Sequence, residues 1–135
     1  MKSRFVRSLM FLGGFAALLT SSFAQVVEFR ATINAAQENP ATASTATGSA
    51  VMLYDVGANT FDLFVTLTGF TNTLSLSHVH EAAVGVNGPV VTNLGAEAVY
   101  VRTGTTITGT FRNLAHGGDK LKLLQNGAYL NFHSS

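Results

Sequence analysis

The chain has 135 residues, no cysteine, four histidines, and eight Lys and Arg against seven Asp and Glu. That length suits one domain with its own core, and a near-neutral charge without a basic run excludes the electrostatic footprint of a nucleic-acid binder. Without thiols, disulfides and thiolate metal sites are excluded, so any metal must be held by imidazole, carboxylate or backbone oxygen.

Residues 1–24 read as an export signal. Lys2, Arg4 and Arg7 make a basic start, Ser8 to Leu19 is mostly apolar, and Ser22-Phe23-Ala24 puts small residues where a signal peptidase reads. The apolar run falls short of the ~20 residues that span a bilayer, so no lasting membrane anchor is expected. The reading divides the chain into a signal, 1–24, and an exported domain, 25–135, that is secreted or periplasmic. Removing the signal leaves five basic and seven acidic residues, a net charge of −2.

The remainder reads as short strands separated by turn residues. Val27 to Ile33 alternates, with Val27, Phe29, Ala31 and Ile33 on one face. Asn34 to Thr47 is an Ala/Thr/Ser-rich loop containing Glu38-Asn39-Pro40, and Gly48 to Tyr54 is the second strand. A turn at Val56-Gly57-Ala58-Asn59 leads into Thr60 to Thr68, whose strict period of two marks a half-buried strand paired as a hairpin with its predecessor. Further strands are expected at Leu74 to Ala82, Val90-Val91, Ala98 to Val101, Thr105 to Phe111 and Ala128 to Phe132. Between the last two, Ala115 to Gln125 holds Gly117-Gly118 and a Leu/Lys cluster that suits one or two helical turns. The fold class is therefore all-β, an antiparallel β-sandwich of immunoglobulin-like or related Greek-key type with one short helical turn near the C-terminus.

His78 and His80, one residue apart on a strand, must point the same way. Regular alternation puts them on the face of Leu74 and Leu76, at the end of a buried stripe, opposite the more polar face of Ser75, Ser77, Val79 and Glu81. Glu81 therefore points away from the pair. Tyr129, Asn131 and His133 share one face of the last strand, the more polar one, which fits poorly with a pair that follows a leucine stripe. If the two strands are neighbours, His78, His80 and His133 converge, and three neutral imidazoles suit copper or zinc with an open position. The competing reading is a structural cluster in which a carbonyl, Asn131 or Tyr129 satisfies the rings. His116, in the Gly-rich break, is expected to be exposed.

Other chemistry finds little in the sequence. Gly85-Val86-Asn87-Gly88-Pro89 is followed by no Lys-Ser/Thr and no helix, so it reads as a turn with Asn87-Gly88 at positive φ rather than a phosphate cradle. The Glu38 carboxylate is expected to satisfy nearby backbone N–H groups rather than a ligand. No Gly-x-Ser-x-Gly elbow is present, and the acidic residues are too scattered to suggest a glycosidase pair.

These elements resemble the CHRD family, the domain first recognised as a repeat in chordin and found in many exported bacterial proteins. The resemblance runs through Phe29 to Ile33, Gln37-Glu38-Asn39-Pro40, Thr47-Gly48-Ser49-Ala50 and Phe61 to Gly69. It continues through Ser77-His78-Val79-His80, Asn87-Gly88-Pro89-Val90-Val91 and Gly127 to His133. It implies a β-sandwich or barrel-like binding or architectural module, usually without an assigned enzymatic activity. Such domains usually continue past Tyr-x-Asn-x-His into a strand of Gly-Glu-Ile-Arg-Gly type, whereas here Ser134-Ser135 follow. The resemblance thus implies an unpaired edge, open to association between copies or to a partner's strand. The HxH pair is also similar, at the level of a short motif, to that of copper/zinc superoxide dismutases. The overall expectation is a non-enzymatic module that binds an unidentified protein or extracellular ligand. The alternative is a copper- or zinc-binding protein, with His78, His80 and His133 as its ligands.

Overall fold

Alternating apolar and polar side chains dictate antiparallel strands through most of the molecule, since only a pleated strand sends every second residue into a common core. The structure, a computed structural model, describes residues 1–8 and 25–135, with only the backbone of 6–8. The strands are β1 (Lys2–Arg4), β2 (Val6–Ser8), β3 (Val26–Asn34), β4 (Thr47–Asp55), β5 (Thr60–Thr68) and β6 (Leu74–Glu81), then β7 (Val90–Gly95), β8 (Val101–Thr103), β9 (Thr106–Ala115) and β10 (Ala128–Ser134). Among the described residues one short α-helix, α1 (Lys120–Leu124), precedes β10, and Asp119 caps it by accepting from the backbone N–H groups of Leu121 and Lys122. Of the expected export signal, residues 9–24 lie outside the described residues, and 1–8 hold β1 and β2.

The fold is all-β, as the alternation requires. Its strands run in the order β7-β6-β10-β1-β3-β4-β5-β9-β8, with β2 also pairing β3. All pairings are antiparallel. The sheet curls around one core in which Phe29, Ile33, Met52, Tyr54, Phe61, Leu63, Leu74 and Phe132 are fully buried. β1 is the strand that joins β10 to β3. Its residue Ser3 and the following Phe5 are buried, the latter edge-on to Phe29 at 5.9 Å. Residues 2–4 thus occupy the position between β10 and β3 over part of the length of those strands.

Two local expectations change. A strand was expected over Ala98 to Val101, but Glu97–Val99 is a 3-10 turn and the strand begins at Val101. The Glu97 carboxylate explains the shift: it accepts from the backbone N–H of Leu74 at 2.7 Å and from Arg102 at 2.6 and 2.7 Å. That clasp turns Tyr100 inward to share a 2.7 Å hydrogen bond with the Ser77 hydroxyl. Between β6 and β7, positive φ falls on Gly85 (77°), not on Asn87-Gly88. Gly88 instead lies so close to β6 that a Cβ would sit 1.9 Å from the Glu81 carbonyl oxygen.

The hydrogen bonds from Arg102, above all, hold the Glu97 carboxyl down at about 2, against an ordinary carboxylate near 4.5. Its contribution to stability is thus complete above pH ~4.5 and lost as pH falls towards 2. Acid titrations should show the native chain more stable than Glu97→Gln at neutral pH, the two converging towards pH 2. Parallel curves across that range would contradict the clasp.

Candidate metal centre

The site is built by the pairing of β6 with β10. Register sets Tyr129 opposite His80, Asn131 opposite His78 and His133 opposite Leu76, so all six side chains project from one side of the sheet. The expected convergence of His78, His80 and His133 is present. One ring nitrogen from each lies within 4.8 Å of the others. The rings of His78 and His80 are 5.5 Å apart, and those of His78 and His133, set diagonally across the strands, are 5.4 Å apart.

The side of the sheet differs from expectation. Ser77 and Val79 face the core with no exposure, whereas Leu76 is 46% exposed and shares the histidines' outward face. Leu74 is buried, but Ser75 and Leu76 both point out, so alternation breaks just before the histidines. The break coincides with the register shift that sets Leu74 against Ser134. His133 is therefore no misfit, because the polar face of β10 and the histidine face of β6 are one surface. The site is graded in exposure: His80 is buried, His78 half-buried and His133 exposed.

Backbone contacts fix His80. Its Nδ1 lies 2.9 Å from the Gly88 carbonyl oxygen. A carbonyl only accepts, so Nδ1 carries the hydrogen and Nε2 of the neutral ring keeps its lone pair. The Gly88 N–H in turn donates to the Tyr129 hydroxyl at 3.0 Å, and the Tyr129 ring stacks on His80 at 5.0 Å. His80 thus cannot swing away, and one of its two nitrogens is reserved. Nε2 of His80 and Nδ1 of His78 are buried without a hydrogen-bond partner. The structural reading is met in part: a carbonyl satisfies one nitrogen of His80, but neither Asn131 nor Tyr129 satisfies the orphans.

Charge is tuned in the same sense. Desolvation first, then the neighbouring His80 and His133, pushes the His78 imidazole below its ordinary value near 6.5. His133 is also lowered, by partial burial and by the Met1 amine, with Glu38 opposing. Neutral rings are the metal-ligating form, so protons compete weakly at neutral pH. Zinc–imidazole bonds of about 2.0–2.1 Å set tetrahedral ligand nitrogens ~3.3 Å apart, so the triad has to tighten. His133 is the exposed member of the triad, near the end of β10. The donor set fits zinc or copper(II) with one position open.

Two groups escaped the sequence reading. His116 is buried, not exposed; its Nε2 lies 3.3 Å from Oε1 of Glu81, which points into the molecule from β6 as alternation requires. Gly117 allows the close turn, since a Cβ there would meet the Val91 carbonyl at 2.0 Å. Glu38 pairs with the Met1 amine at 2.6 Å and Lys2 at 3.7 Å instead of satisfying backbone N–H groups. It lines a cavity of about 590 Å3 together with Asn131 and His133. No spacing rule in the sequence connects either residue to its partner.

The family model of the CHRD domain matches residues 29–135. The chain belongs to the CHRD family. The match takes in all three histidines of the site. No curated protein and no solved structure matches the chain.

Because folding favours the neutral forms of His78 and His133, their contribution is complete above pH ~6.5 and lost as pH falls below it through their lowered native values. Metal-free CHRD protein should therefore lose thermal stability between pH 7 and 5, and His78→Phe should flatten that slope. An unchanged slope in the variant would show that the cluster titrates like free histidine.

Proposed function

We propose that this CHRD protein is an exported, non-enzymatic binding module that holds zinc or copper through His78, His80 and His133. Two observations support the reading: His80 Nε2 and His78 Nδ1 are buried without a hydrogen-bond partner, and one ring nitrogen from each of His78, His80 and His133 lies within 4.8 Å of the others. A buried polar atom without a partner costs free energy, and a bound cation is the partner that satisfies both at once. The bond from His80 Nδ1 to Gly88 is the kind of second-layer contact that orients metal-ligating imidazoles. Export agrees with the composition of residues 1–24 and with a chain that has no thiol to oxidise. In the processed chain, the strand position between β10 and β3 is where a partner's strand or a second copy would associate.

Zinc- or copper-loaded protein, desalted and analysed for metal, should retain one equivalent. The His78→Ala/His80→Ala double variant should retain none while keeping its sheet signature in circular dichroism, and Gly88→Ala, whose Cβ would overlap the Glu81 carbonyl and push the Gly88 carbonyl away from His80, should weaken binding by about tenfold or more. Absence of stoichiometric metal at any loading ratio sinks the proposal.

A further inference from the structure

The face that carries the histidines continues onto β1. Antiparallel register sets Lys2 opposite Asn131 and Arg4 opposite Tyr129, so both basic residues lie on the histidine side, one strand beyond β10. Tyr129 is the spacer. Its ring stacks on His80 at 5.0 Å, while the Lys2 ammonium lies 5.7 Å and the Arg4 guanidinium 6.0 Å from the same ring. The two charges are locked in place: Lys2 donates to the Asn87 side chain and Arg4 to the Ala83 carbonyl. Glu38 lies 3.7 Å from Lys2 and 2.6 Å from the Met1 amine, so at this edge one carboxylate faces three cations, Met1, Lys2 and Arg4.

We propose that Lys2 and Arg4 are an electrostatic guard of the histidine centre, holding its affinity for divalent metal down while residues 1–8 remain attached and releasing it when they are removed. The inference rests on the reading of His78, His80 and His133 as metal ligands. A dication at the histidines is repelled by unit charges held on the same face, and more strongly at a partly buried surface than in bulk water. Two such charges cost on the order of a tenfold loss of affinity at low salt. Through Tyr129, distances of 5.0 Å and of 5.7 and 6.0 Å put both charges within about 11 Å of the His80 ring centre, comparable to the Debye length of ~10 Å at 0.1 M, so the effect fades as salt rises. Residues 1–24 have the composition of a cleavable leader, and both guard residues lie within it. The unprocessed chain thus discriminates against metal before export, and cleavage removes both charges while leaving all three histidines.

The test is zinc titration by calorimetry of the full chain, native and Lys2→Gln/Arg4→Gln, in 10 mM and 500 mM salt. Arg112→Gln on β9 is the control, because that cation lies against Asp62 and Phe64. The double variant should bind zinc about tenfold or more tightly than native chain at low salt, the gap should close at high salt, and Arg112→Gln should match native. Equal affinities at low salt overturn the guard but leave the metal centre standing. A gap that persists undiminished at 500 mM salt also overturns it, pointing to altered structure. No zinc binding by any of the three proteins overturns both readings, and circular dichroism of each variant reports whether the sheet is intact.

Discussion

The antiparallel pairing of β6 with β10 is the constraint on which the site depends. Neither strand carries it alone: β6 supplies two imidazoles and β10 the third. Their register also brings Tyr129 over His80 and Asn131 beside His78. The inner faces of the same two strands, Val79, Leu130 and Phe132, are fully buried. A one-residue slip would turn that apolar set to solvent and the histidines into the core. Core burial therefore fixes the register, and the register brings the histidines together. The polar site is held by hydrophobic packing on the other side of the same strands.

Gly88 completes the arrangement through its backbone alone. Its carbonyl takes the His80 Nδ1 hydrogen and its N–H serves the Tyr129 hydroxyl. Only a residue without Cβ can approach β6 this closely, since a methyl group would overlap the Glu81 carbonyl. The Asn-Gly-Pro segment is thus a strap over the histidine strand and not the two-residue turn its composition suggests. Its consequence reaches chemistry: it decides which nitrogen of His80 keeps a lone pair.

Period-two alternation made most of the strands legible, because β3, β4 and β5 bury alternate residues against one core. It also identified the three histidines. It failed at Leu74 to Leu76, where an interruption that depends on pairing with Ser134 flips the faces. It failed at His116 as well, because a histidine among glycines looks exposed until the packing of Tyr54 and Phe61 around it is known. The composition of residues 1–8 suggested a leader and gave no sign that Lys2–Arg4 pairs between β10 and β3. Each failure involves residues far apart in sequence, where local periodicity carries no information.

The metal centre is the central claim, and X-ray absorption spectroscopy of zinc-loaded protein tests it most directly. The account predicts three imidazole nitrogens at about 2.0–2.1 Å with the multiple-scattering pattern of histidine rings, falling to two in His133→Ala. A first shell of oxygens only, or a histidine count unchanged by His133→Ala, would contradict it.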